Sequence, residues 1–166
     1  MKPATADQFA LSPPEEGCAS QHAALCWRMH RGRVQVLLIT SRDTGRWIVP
    51  KGWPMAGKTP ADTAMTEAWE EAGVLGSLET TDPLGFYGYD KLRGQKDPIP
   101  CIVSVFALRV TQLADKFPER NQRRRKWFDA QKAARKVAEP DLRGLLSQLS
   151  LKGQMLVRVP VRKKPA

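Results

Sequence analysis

Between Gly52 and Val74 the chain spells out a loop followed by a helix that carries three carboxylates on one face. Thr59 suits an N-cap, Pro60 the first helical position, and Asp62 the first turn, where the helix dipole favours an anion. Gly73 is a natural C-terminal stop. Glu67, Glu70 and Glu71 stand at i, i+3 and i+4 and fall within an arc of roughly 100°. Ala61, Ala64, Met65, Ala68 and Ala72 form the neighbouring arc, which would pack on a core. Carboxylates this close repel one another, and a hard divalent cation with oxygen ligands removes that repulsion. A solvated acidic face is the plainer reading of such a cluster. The Pro- and Gly-rich loop directly after a strand favours the functional one.

Strands surround this helix. His22–Arg28 and Val34–Thr40 read as a hairpin turned at Arg31-Gly32, and Arg46–Val49 as a short strand stopped by Pro50. Leu84–Tyr89 and Cys101–Val110 read as strands flanking a basic loop, Asp90–Pro100. Lys126–Phe128 is a short strand; Asp129 opens a helix to about Val137, and Pro140–Leu149 begins another. Residues 1–16 form an expected loose arm, 17–150 the domain, and 151–166 a basic tail. In that tail the alternation of Met155, Val157, Val159 and Val161 suggests a late edge strand. The fold class expected is α+β.

The balance of 27 Lys and Arg against 17 Asp and Glu, a net charge of +10, favours anionic partners. Cys18, Cys26 and Cys101 are odd in number and widely spaced, which excludes a disulfide framework. Neither a signal-peptide core nor an apolar stretch long enough for a membrane is present, so a cytoplasmic protein without membrane partners is expected.

Gly52-Trp-Pro-Met-Ala-Gly57-Lys58-Thr59 also matches the phosphate-loop pattern G-x-x-x-x-G-K-[ST]. A phosphate-loop NTPase or kinase is therefore a rival. Pro54 removes an N–H from that loop, and consecutive strands after Gly73 do not suit a parallel nucleotide-binding sheet. A second rival is a catalytically inactive nucleic-acid-binding module, with Trp127-Phe128 stacking bases.

Gly52 followed by Glu67-Ala-Trp-Glu70-Glu71-Ala-Gly73-Val74 resembles the Nudix box, G-x5-E-x7-R-E-U-x-E-E-x-G-U, with U aliphatic. Lys58 replaces the box's first Glu and Thr66 replaces its Arg. The resemblance covers roughly residues 21–149. Ala23–Cys26, Thr40-Ser41-Arg42, Gly45–Pro50 and Arg123–Phe128 look most like the diphosphoinositol polyphosphate and diadenosine polyphosphate hydrolase branch. That branch carries basic residues before the first strand, where this chain has Ala19-Ser20-Gln21-His22.

The resemblance implies an α/β/α sandwich around a mixed sheet. It also implies an enzyme: a metal-dependent phosphoanhydride hydrolase acting on a phosphorylated small molecule. Mg2+ or Mn2+ would be held by Glu67, Glu70, Glu71 and the carbonyl of Lys51, with Glu70 as the base. Substrate phosphates would meet Ser41, Arg42, Lys51, Arg93, Arg123 and Arg125.

Overall fold

The computed structural model describes residues 17–158, with side chains to Ser150; the expected N-terminal arm and the end of the tail lie outside the described residues. Strands β1 (Ala19–His30) and β2 (Arg33–Thr40) form the expected hairpin, followed by β3 (Trp47–Ile48) and β4 (Lys51–Gly52). Helix α1 (Pro60–Ala72) leads to β5 (Val74–Leu78), β6 (Gly85–Arg93), β7 (Lys96–Leu113) and β8 (Arg125–Asp129). Helices α2 (Ala130–Lys136) and α3 (Pro140–Arg158) close the described chain.

The sheet runs β3-β2-β1-β7-β5, with β4 on β1, β6 on β7 and β8 on β2. β1 and β7 run parallel, while the other pairings are antiparallel, so the sheet is mixed. Side chains alternate across a strand, and the central strands are buried on both faces. Ala24, Cys26, Leu37, Ile39, Phe106 and Leu108 face α1 and meet Ala61, Ala64, Ala68 and Ala72. Ala23, Leu25, Val36, Leu38, Val103 and Val105 face the other way, toward Val137, Leu142 and Leu146. This is an α+β sandwich with a helical layer on each face. The alanine stripe of α1 lets that helix approach the sheet closely, which brings its carboxylates to the backbone of β4.

Several elements differ from expectation, among them the two-residue β4, which lies beyond the expected stop at Pro50. β5 was not foreseen, because Gly76 interrupts its short apolar run. There is no room for a side chain at that glycine: a Cβ would fall on the Arg109 carbonyl of β7, and the register shifts between Leu75 and Gly76. The expected loop at Asp90–Pro100 is mostly the two arms of a hairpin, with Arg93 paired to Lys96 across Gly94-Gln95. Gly94 takes φ 67°, which a tight hairpin turn requires, and Pro98 and Pro100 are tolerated in a strand that pairs only with β6 there. Met155 and Val157, expected in a late edge strand, belong instead to α3, which continues through Arg158; Val159 and Val161 lie outside the described residues.

Candidate active site

Helix α1 is fixed at both ends. Thr59 Oγ1 accepts the Asp62 N–H at 3.1 Å, and Gly73, at φ 66°, returns its N–H to the last turn. Arg125 donates to the Ala72 carbonyl at 2.7 Å and lies over the Phe117 ring. These contacts set the rotation of the helix and so the direction of its glutamates.

Glu67 points at β4. A Cβ on Gly52 would fall within the Glu67 carboxylate, so only glycine lets the two meet. Glu71 is buried, and its Oε2 accepts the Lys51 N–H at 3.0 Å. Its Oε1 pairs with Arg123 at 3.2 Å. Burial pushes the Glu67 carboxyl up to about 7, helped by the charges of Glu71 and Glu70. Burial likewise lifts Glu71 to about 7, against the pull of Arg123 and the Lys51 N–H. Among the described residues, no three His, Cys, Asp or Glu side chains already converge on one point. The donor set nevertheless suits a hard cation: carboxylate oxygens whose ionisation burial opposes, beside the backbone of Lys51.

Arg123 has only 7% of its side chain exposed. It pairs with Glu71 and Glu119, at 3.2 and 3.3 Å, and donates to the Thr40 carbonyl at 3.1 Å. Sequence reasoning missed Glu119. No periodic pattern marks it, but its N–H bonds the Glu70 carbonyl at 2.9 Å and its carboxylate joins the acidic cluster. Arg123 and Arg125, expected at the substrate, are directed into the protein, where they hold α1. Arg124 takes the other side of the strand, over Trp47.

The remaining expected contacts scatter. Ser41 shapes the β2–β3 turn: its hydroxyl accepts the Arg46 N–H and bonds Thr44. Arg42 lies exposed at the edge of the acidic cluster, 3.7 Å from Glu119. Arg93 sits at the far hairpin tip and donates to the Asp97 carbonyl. The Lys51 side chain lies over Tyr89 at 5.0 Å, on the opposite side of β4 from Glu67. Burial lowers its pKa, against the pull of Glu71 and Glu139.

The two departures from the box touch each other: Lys58 Nζ donates to Thr66 Oγ1 at 2.7 Å. The phosphate-loop arrangement is not formed. Strand β4 runs antiparallel to β1, Lys58 is held by Thr66, and Thr59 is spent as a cap.

A family model described as NUDIX domain matches residues 19–149. The chain belongs to the Nudix family. Nudix relatives include mouse diphosphoinositol polyphosphate phosphohydrolase 3-alpha, 33% identical over 120 residues, which cover 71% of this chain and 68% of that one. "Nudix hydrolase 16, mitochondrial" of Arabidopsis thaliana is 33% identical over 116 residues, 68% of this chain and 63% of that one. The fold also matches the Ap4A hydrolase of C. elegans, with a TM-score of 0.60 at 18% identity, over 81% of this chain and 98% of that one. The Nudix domain of Shewanella oneidensis NrtR, solved with ADP ribose, matches with a TM-score of 0.61 at 15% identity, over 90% and 98% of the two chains. The chain is a Nudix hydrolase, with phosphohydrolases among its relatives.

Proposed function

We propose that this protein hydrolyses a phosphoanhydride bond in a diphosphate-containing small molecule, such as a diphosphoinositol polyphosphate or a diadenosine polyphosphate. The observation that carries the reading is the pair Glu67, half-buried, and Glu71, buried, set against the Lys51–Gly52 backbone and both pushed to about 7. Folding has collected negative charge where burial opposes it, and a cation offsets that cost.

Glu67, Glu70, Glu71 and the Lys51 carbonyl would hold Mg2+ or Mn2+. When bound, such an ion supplies charge for the non-bridging phosphate oxygens and lowers the pKa of a coordinated water. Glu70 is half-buried and lies outside the Arg123 clamp that holds Glu71 and Glu119. It takes the proton of the attacking water as the oxygen closes on phosphorus and the bridging P–O bond breaks. Arg42 and Lys51 receive the flanking phosphate oxygens, and Ser41 fixes the turn that presents Arg42. Arg93 extends the basic rim along the hairpin. Arg123 and Arg125 act through α1 by fixing the direction of its glutamates.

A hydrolysis screen over diphosphoinositol, diadenosine and nucleoside polyphosphates, with and without Mg2+ or Mn2+ and with products weighed by mass spectrometry, tests the proposal. Metal-dependent release of phosphate or a nucleotide is expected, with Glu70→Gln lower in turnover by about 10²–10⁴-fold. A folded Glu70→Gln with normal turnover on every substrate removes Glu70 as the base.

A further inference from the structure

The net charge of +10 is not spread evenly along the chain. Residues 130–166 hold nine Lys and Arg against two acids, Glu139 and Asp141, and so carry seven of those ten charges. The acidic site uses none of them. Glu139 is turned inward, with 11% of its side chain exposed and Arg46 as its ion pair, so it offsets little of this charge at the surface. Lys132, Arg135 and Lys136 of α2 and Arg143 of α3 are exposed, and none of them forms an ion pair among the described residues. Like charges at i, i+3 and i+4 weaken a helix. The helix dipole accounts for Arg135 and Lys136 in the last turn of α2, but not for Lys132, which stands in its first. This grouping costs the helix stability unless an anion covers it.

Between α2 and α3 runs an open groove of about 590 Å3, lined by Gln131, Ala134, Arg135, Arg143 and Ser147. It lies on the face of the sheet opposite α1, away from Glu67 and Glu71. Arg143 donates through Nε to the Val137 carbonyl at 2.9 Å, which fixes its guanidinium at the α2–α3 turn and leaves the two outer nitrogens as donors. Ser147 Oγ donates to the Arg143 carbonyl at 2.9 Å, so its proton is spent and the hydroxyl can only accept. Neither α2 nor α3 contains an aromatic residue. The large apolar residues exposed among those described, Trp53, Leu75, Leu92 and Ile102, lie on other parts of the chain.

These features select among polyanions. A planar guanidinium matches two phosphate oxygens at once, which suits a phosphodiester backbone. Unstacked bases would find no ring to lie on, which disfavours a single strand. Phe128 is in the core and Arg28 lies over Trp127, so those rings do not supply one. No exposed apolar side chain is placed to enter a membrane. An acceptor-only hydroxyl beside two arginines calls for a donor set between phosphates, and the 2′-hydroxyl of RNA is such a donor. We infer that the α2–α3 groove is a docking surface for double-stranded RNA. Arg135 and Arg143 take phosphate oxygens, Ser147 accepts from a 2′-hydroxyl, and Lys132 and Lys136 flank the backbone. This surface stands independently of the hydrolase reading.

Fluorescence anisotropy of the full chain with a labelled RNA duplex of about 20 base pairs tests this. Four phosphate contacts predict a slope of log K against log salt of about −3 to −4, so binding should weaken about 10²-fold between about 50 and 200 mM salt. Arg135→Gln and Arg143→Gln should each reduce the steepness of that slope by about one. Arg135 forms no ion pair among the described residues, so the effect of its variant does not rest on a folding defect. Lys116→Gln removes the same charge from an exposed residue close to Ala114, whose N–H bonds Gly73 at the end of α1, and should leave the slope unchanged. Ser147→Ala should narrow the preference for RNA over a DNA duplex of the same sequence by about threefold, the contribution of one hydrogen bond. Absence of duplex binding at low salt, or equal weakening by Lys116→Gln and Arg135→Gln, overturns the proposal. So does a DNA duplex or a single RNA strand bound as tightly as the RNA duplex, or binding only to phosphatidylserine vesicles.

Discussion

The two faces of the sheet solve different problems. On the α1 face, alanines bring a helix so close that Glu67 reaches the backbone at Gly52 and Glu71 reaches the Lys51 N–H. On the α2–α3 face, larger residues such as Leu142, Leu145 and Leu146 fill the space, and the Lys51 side chain lies over Tyr89 at its margin. Lys51 belongs to both, with its backbone on the acidic face and its side chain on the other. Small residues position the proposed chemistry, and the Lys51 side chain serves the proposed phosphate binding. A disturbance on the first face should therefore act on turnover, and one on the second on KM.

The largest expected effect is on the acidic face. Glu67→Gln should lower kcat by about 10²–10⁴-fold. Gly52→Ala should come close, about 10²-fold, because the added Cβ displaces the Glu67 carboxylate. Kinetics alongside circular dichroism separate either effect from unfolding. A Gly52→Ala enzyme of normal kcat would break the link between close packing and chemistry.

Arg123→Ala should come next. It leaves the buried Glu71 and the partly buried Glu119 without their cation and should cost about 3 kcal/mol, read by urea denaturation. An unchanged midpoint would mean that Arg123 is not the clamp described here.

The pH dependence of stability sharpens the same contrast. Glu67 and Glu71 titrate near 7 in the folded chain, mainly through burial, and near the ordinary carboxylate value when unfolded. Between about 4.5 and 7 the folded state thus holds protons that the unfolded state has released, so metal-free stability falls as pH rises through this window. Melting temperatures should drop from pH 5 to pH 8, and Mn2+ at pH 8 should recover much of the loss. The smallest effect is expected far from both faces. The Arg33–Asp129 pair is exposed, and Arg33→Ala should change stability by less than about 0.5 kcal/mol.

Much of this was legible in the sequence where local chemistry decides structure. Thr59, Pro60 and Gly73 announce the ends of α1, and the helical period places the glutamates on one side. The long apolar runs of β1, β2 and β7 announce strands buried on both faces. What was not legible depends on partners distant in the chain. The backbone of β5 is pressed against β7 through a glycine that looks like a break. Arg123 and Arg125 read as a basic run, yet the carboxylate and carbonyl that claim them lie 52 and 53 residues away. Glu119 carries no pattern of its own and enters the cluster only because its backbone docks on Glu70. Trp47 and Trp53 likewise differ by what lies on each ring: Phe128 packs on the first, and the second stays exposed beside Lys91.

Everything proposed for the acidic face depends on Glu67 and Glu71 holding a divalent cation that drives phosphoanhydride cleavage. Manganese binding, followed by its electron paramagnetic resonance signal during turnover of a diphosphate substrate, tests it most directly. Wild-type protein should take up Mn2+ and cleave only when it is bound. Glu67→Gln and Glu71→Gln should lose binding and turnover together. Full turnover in excess chelator, or normal Mn2+ binding and turnover in both variants, would contradict it.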